Sequence, residues 1–182
     1  DSILRHRDAC GFLPVWALWG WDGQDMIGTH SVPVLVDAYL KGFPADWEVV
    51  YAAVKDTLTT RHVRRWIEEW DFLDSHGYVP YDLNARMRGR CCPGLYPGYG
   101  SVSRTFECAY DDACAARLAE GLGKGEDAAF FRCRSGCWRN LMDPETGFAR
   151  PRDAKGGWMA SFNPAAYGPD FTEGNSMQYT FH

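Results

Sequence analysis

The chain has 182 residues, 46% of them hydrophobic, enough to build one domain with a real core and too few for two comfortable ones. Its 19 Lys and Arg stand against 24 Asp and Glu, a net charge of -5 with no basic run to track a phosphate backbone, so nucleic acid is not an expected partner. No apolar stretch reaches the roughly 20 residues of a membrane-spanning helix, and "DSILRHRDAC" lacks the basic-then-apolar order of a signal peptide.

In chain order, "PVWALWGWDG" comes first, without a helical stripe. Its Trp16, Trp19 and Trp21 fit either core packing or a loop that carries a flat platform for a sugar ring. Ser31 is placed to cap a helix through "VPVLVDAYLK", with Pro33 tolerated in the first turn and Gly42 placed to end it. Asp37 and Lys41, four apart, read as an intrahelical ion pair. A second helix follows from Trp47, Val50, Tyr51, Val54 and Leu58, which recur at three and four residues. Val63, Trp66, Ile67 and Trp70 repeat that spacing before Gly77 and Pro80 break it, which predicts a short helix and then a long loop over 71–100.

"SVSRTFECAYDDACAARLAEGLG" predicts the clearest helix, with Phe106, Tyr110, Cys114, Leu118 and Leu122 advancing by four and Gly123 as its stop. Ala128, Phe131, Trp138 and Leu141 mark another stripe, interrupted by Gly136, and residues 143–171 read as irregular. Paired helices, long loops and almost no period-two alternation predict an all-α fold of helical hairpins. Seven cysteines cannot all pair within the chain. Cys133 and Cys137 have the spacing of one helical face, but no second pair stands at zinc-motif distance, so buried thiols or disulfides are favoured over a metal.

Three places could carry chemistry. In "TEGNSMQYTFH", a helix capped by Thr172 would put Glu173 in its first turn, where the dipole favours an ionised carboxylate, so a general acid at this position needs a setting that opposes the dipole. The bland alternative is an acidic first-turn residue that only helps the helix. Glu107 and Asp111 share a helical face beside Asp112, suited to acid–base work or a hard cation, or simply to pairing with arginines. His30 lies at a helix mouth, where a lone His can be structural or face a pocket.

Taken together, "GFLPVWALWG", "MIGTHSVPVLVDAYLKG", "GYVPYD", "SVSRTFECAYDD", "DPETGFARP" and "TEGNSMQY", in this order, resemble the catalytic domain of glycoside hydrolase family 92, the calcium-dependent exo-α-mannosidases. The resemblance runs from about residue 8 to 180. It implies part of an (α/α)6 barrel, and an enzyme that removes terminal mannose, as from N-glycan or mannan chains, with inversion. Glu173 matches the general acid. An Asp downstream is implied as the base, the two carboxylates of an inverting pair standing about 6.5–9.5 Å apart. Calcium is implied as cofactor, and a secreted or periplasmic location is implied as well.

The family's "NEP"-type and "GNDD"-type segments and its N-terminal β-sandwich have no counterpart in this chain, so the expectation is that residues 1–182 are an internal fragment, with base and calcium ligands outside it and no metal-ligating residue within. Asn175 and Gln178 are expected to orient Glu173 or touch sugar hydroxyls, and His30, Trp16 and Glu107 to wall the pocket. Met177 departs from the family's usual Trp. The rivals are another inverting (α/α)6 glycosidase, trehalase-like or glucosidase-like, and a non-catalytic sugar-binding helical module.

Overall fold

The structure, a computed structural model, describes residues 2–18, 20–22, 26–60, 67–82 and 100–181. The described chain is mainly helical: α1 (Ser2–Cys10), a two-residue ribbon of β1 (Ala17–Leu18) and β2 (Trp21–Asp22), α2 (Ser31–Leu40), α3 (Trp47–Thr59), α4 (Ile67–His76), α5 (Ser101–Gly121), α6 (Gly125–Arg134), a 3-10 turn (Cys137–Leu141) and α7 (Ser176–Thr180). The ribbon pairs antiparallel, Ala17 opposite Asp22 and Leu18 opposite Trp21. Two compact units emerge, Asp1–Ile67 with Glu107–Gly136, and Glu68–Phe106 with Cys137–His182.

The first unit is built on the predicted stripe of α3. Val50, Tyr51, Val54 and Leu58 are buried, and they join Val32 and Val36 of α2, the alanines Ala115, Ala116 and Ala119 with Leu118 of α5, and Ala128 and Phe131 of α6. Asp46 caps α3, its carboxylate accepting from the Val49 N–H at 3.2 Å. α2 begins differently from expectation. His30 occupies the N-cap without a side-chain cap bond and Ser31 is the first helical residue, while Gly42, at φ +73, ends the helix as predicted.

The helix expected from the four-residue row is α5, with Gly123 at φ +71 just past its end, but the row is not one buried stripe. At 3.6 residues per turn, a step of four drifts about 40°, so a row of five winds far round the helix. Leu118 is fully buried whereas Tyr110 is exposed, and the other apolar residues buried in this stretch of the helix are small ones, Cys108, Ala109, Ala115, Ala116 and Ala119. The helix α1 has no counterpart among the predicted elements because it lacks a stripe. It is held from outside by Ile3 and Leu4 packed on the core and by Arg7, which bonds Asp56 at 3.0 Å.

Two polar clusters tie helices of this unit together. Asp127 accepts from the Tyr51 hydroxyl at 2.5 Å and from Lys55 at 2.8 Å. These bonds, Lys55 foremost, hold the Asp127 carboxyl below its usual range, and burial together with the same carboxylate pushes Tyr51 upward. Arg134 forms a two-pronged pair with Asp112, both contacts 2.7 Å, and donates to the Leu58 carbonyl at 2.8 Å. The acidic neighbour of Asp111 is therefore paired with Arg134.

In the second unit Tyr78, Val102, Leu141, Ala149 and Phe171 form a small core, flanked by Phe106, Phe162 and Tyr179. α4 runs to His76 and stops at Gly77, φ +72, so residues 71–76, expected to open a long loop, are helical. Residues 83–99 of that loop, and Val63 and Trp66, lie outside the described residues. The helical stripe expected through Trp138 breaks after Arg134 into the 3-10 turn, which separates exposed Cys133 from buried Cys137. Residues 142–158 make the irregular hairpin, with bridges Met142–Ala149 and Arg152–Trp158. Asp143 is its pivot, accepting from Arg150 at 2.8 Å, from Thr146 at 3.0 Å and from the Glu145 N–H at 3.0 Å, and the Arg150 bond foremost holds its carboxyl below the usual range.

Asp112→Ala should be among the most damaging changes in the first unit. Arg134 and Asp112 side chains are 11% and 2% exposed, and removing one partner strands a buried charge. The expected loss is about 3–5 kcal/mol, read as a lower urea midpoint with unchanged slope; a loss under about 1 kcal/mol would mean the pair is not buried as described.

Candidate functional site

Glu173 stands on a turn whose backbone is fixed on both sides. α7 begins at Ser176, and its cap is Asn175, not Thr172. The Asn175 carbonyl oxygen of the side chain accepts from the Gln178 N–H at 3.1 Å, and the Asn175 N–H donates to Gln178 Oε1 at 3.0 Å, a reciprocal capping box. Glu173 thus precedes the helix cap by two residues instead of lying in the first turn. Gly174 between them is buried, and a Cβ there would press to 3.2 Å on both Gln178 Oε1 and the Tyr179 ring.

On the other side, the Thr172 N–H donates to Ser103 Oγ at 2.8 Å, and the Thr172 carbonyl accepts from the Tyr179 hydroxyl at 2.9 Å. Just upstream, the buried Asp170 ties the loop to the start of α5. Its carbonyl accepts from the Val102 and Ser103 N–H groups at 3.1 and 3.3 Å, and its carboxylate from the Ser101 hydroxyl at 2.7 Å. Between these anchors Glu173 takes φ +54, the one positive φ at a non-glycine among the described residues, with its side chain exposed. Such a conformation carries a cost that surrounding bonds must offset, and it tends to occur where a side chain must be aimed.

The side chain of Asn175 is committed to this architecture, since its Nδ2 also donates to the Ala165 carbonyl at 3.2 Å. Asn175 and the Oε1 atom of Gln178 therefore act on the backbone that presents Glu173. Met177, at the position that departs from the family pattern, is exposed.

His30 and Glu107, singled out separately in the sequence, meet in the first unit. His30 Nε2 lies 2.9 Å from Glu107 Oε2, and Nδ1 lies 3.6 Å from Asp111 Oδ1. The first is within hydrogen-bonding distance and the second is beyond it. Asp111 is fully buried and accepts from the Thr29 N–H at 2.6 Å, which locks the turn that precedes α2. Gly28, φ +72, makes the approach possible, because a Cβ would stand 2.9 Å from His30 Nε2 and 3.2 Å from the Glu107 Cβ. The His30 side chain remains 47% exposed, so the imidazole is held by one edge and open on another. Trp16 is half exposed beside the ribbon, where Asp22 accepts from the Val15 N–H at 2.7 Å. Among the described residues no group of three or more His, Cys, Asp or Glu stands close enough to hold a metal ion.

Residues 1–182 match the glycosyl hydrolase family 92 catalytic domain along their whole length. The chain belongs to glycosyl hydrolase family 92. Two solved family 92 structures from Bacteroides thetaiotaomicron superpose on it with TM-scores of 0.82: an α-mannosidase, 38% identical over 99% of this chain and 22% of its own, and an inverting mannosidase, 35% identical over 100% and 24%. An "uncharacterized secreted glycosidase" of Arthroderma benhamiae is 32% identical over 91% of this chain and 21% of that protein. The chain thus spans less than a quarter of the length of these relatives. With its described residues mainly helical, it is all-α and corresponds to part of the family 92 (α/α) barrel. Among the described residues no helix is long and apolar enough to cross a membrane.

Within a family 92 chain the Glu173 turn reads as a place where stability yields to presentation. Glu173→Gly should stabilise the fold by about 0.5–1 kcal/mol, since glycine takes positive φ freely, and Glu173→Val should destabilise it by at least about 1 kcal/mol, since branching at Cβ worsens the clash. Chemical denaturation of the three proteins tests this; Glu173→Gly losing stability would mean that the turn is not left-handed in solution.

Proposed function

We propose that this chain supplies the proton-donating part of an α-mannosidase that releases terminal mannose with inversion, and that Glu173 is its general acid. The observation that carries this is the anchored, positive-φ turn that sets an exposed carboxylate apart from the capping bonds around it. The family match and the naming of its solved relatives as mannosidases support the substrate class, and one of those relatives, 37% identical over 99% of this chain and 23% of its own, was solved with mannoimidazole.

In this reading the carboxylic acid of Glu173 protonates the glycosidic oxygen as the bond to the anomeric carbon breaks, so the leaving sugar departs as an alcohol and not an alkoxide. A second carboxylate, supplied by a segment other than residues 1–182, activates the water that attacks the opposite face. By their chemistry His30 and Glu107, an imidazole donor beside a carboxylate acceptor, suit recognition of sugar hydroxyls, and Trp16 suits the flat face of a pyranose ring. A calcium ion in the complete protein would be held by oxygen donors and would help to orient the sugar. The natural substrate is a mannose-terminated glycan of the N-glycan or mannan type, linked α-1,2, met outside the cytoplasm. The secreted label of the fungal relative supports that location.

General acid catalysis of this kind is worth roughly 10²–10⁴ in rate and matters most when the leaving group is a poor one. Glu173→Gln in the complete gene product should therefore lower kcat/KM for a mannobiose by that factor while harming an aryl mannoside with an acidic phenol far less. Equal losses on both substrates, or no loss on either, would remove Glu173 from the acid's role.

A further inference from the structure

The backbone that leads into Glu173 is held by side chains of two helices. The residue before it, Thr172, has both polar backbone atoms bonded to side chains, the N–H to Ser103 from α5 and the C=O to Tyr179 from α7. Ser103 is fully buried, so its hydroxyl has no water to exchange with, and Tyr179 is set by its ring, 5.9 Å from Phe171 and 6.4 Å from Phe106. Neither bond is needed to form a helix. α7 has its own capping box, and the Ser176 and Thr180 hydroxyls dock it on both polar atoms of the Ala149 backbone. What the two bonds do fix is two successive peptide planes, Phe171–Thr172 through Ser103 and Thr172–Glu173 through Tyr179, and with them the backbone that leads into the unfavourable φ of Glu173.

We infer that Ser103 and Tyr179 are positioning residues for the acid: together they clamp the Thr172 backbone so that Glu173 stays in the left-handed conformation that points its carboxylate outward. This rests on the reading of Glu173 as the general acid. A positioning error of about 1 Å at a reacting group can reduce rate by about 10²-fold, which sets the scale of the expected effect. Tyr179→Phe keeps the ring packing and removes the bond to the carbonyl; Ser103→Ala removes the acceptor for the N–H.

The test compares kcat and KM of the complete gene product on mannobiose and on an aryl mannoside with an acidic phenol, for wild type, Tyr179→Phe, Ser103→Ala, Glu173→Gln and the two double variants with Glu173→Gln. Each clamp variant should lose about 10- to 100-fold in kcat on mannobiose with KM nearly constant, and lose much less on the aryl substrate. In the Glu173→Gln background those losses should vanish, because no proton donor remains to be misplaced. A purely structural role lowers both substrates equally and adds to Glu173→Gln, and that result overturns the proposal. Glu173→Gln sensitive to the leaving group with both clamp variants insensitive overturns the clamp alone. Glu173→Gln insensitive overturns the acid reading and the clamp with it. Should Tyr179→Phe fail to fold, Ser103→Ala releases the adjoining Phe171–Thr172 peptide and decides the matter.

Discussion

The Thr172 backbone is held from two directions, by Ser103 on its N–H and by Tyr179 on its carbonyl, and the turn that follows depends on that grip. A glutamate does not rest at φ +54 unaided. Left to itself the residue would relax to a negative φ and swing its carboxylate elsewhere. The clamp upstream and the capping box downstream leave Glu173 little choice, and the missing side chain at Gly174 lets Tyr179 and Gln178 close beneath the turn. Asp170 extends the same device to the N-terminus of α5 by taking the Val102 and Ser103 N–H groups on its carbonyl. The small core of Tyr78, Val102, Leu141, Ala149 and Phe171 is the platform on which these bonds are referenced.

The cluster of the first unit follows a different logic. There no strained carboxylate is presented; a buried one, Asp111, organises the turn before α2, and a partly exposed one, Glu107, holds the imidazole of His30. An imidazole anchored by one nitrogen and open to solvent over part of its surface can serve recognition of hydroxyl groups, which need both donors and acceptors. Gly28 is what lets the three groups meet, since any side chain there would collide with His30.

Much of the helical part of this molecule is legible in its sequence. The α3 stripe, the glycine stops at Gly42, Gly77 and Gly123 and the irregular course after residue 142 are local features, and local patterns predict them. The helix α1 is not legible, because ion pairing and docking on a distant core hold it and no periodicity does. The cap of α7 differs from expectation although its signal is present: Asn175 is followed three residues later by Gln178, the spacing of a capping box, and it outcompetes Thr172. Among the candidate residues, His30 and Glu107 can be suspected singly, but their contact closes over 77 positions and no local pattern announces it. Ser103 and Asp170 escape sequence reasoning for the same cause, since a buried hydroxyl 69 residues from its partner looks in the sequence like any small helical residue.

The most direct measurement is the backbone geometry of Glu173 itself, from a crystal structure fine enough to fix φ in the wild-type protein and in Tyr179→Phe. The account requires a positive φ at Glu173 in the wild type, with the Thr172 carbonyl on the Tyr179 hydroxyl, and a turn that relaxes or becomes disordered once that hydroxyl is gone. A negative φ in the wild type, or a turn that keeps its shape without the hydroxyl, would contradict it.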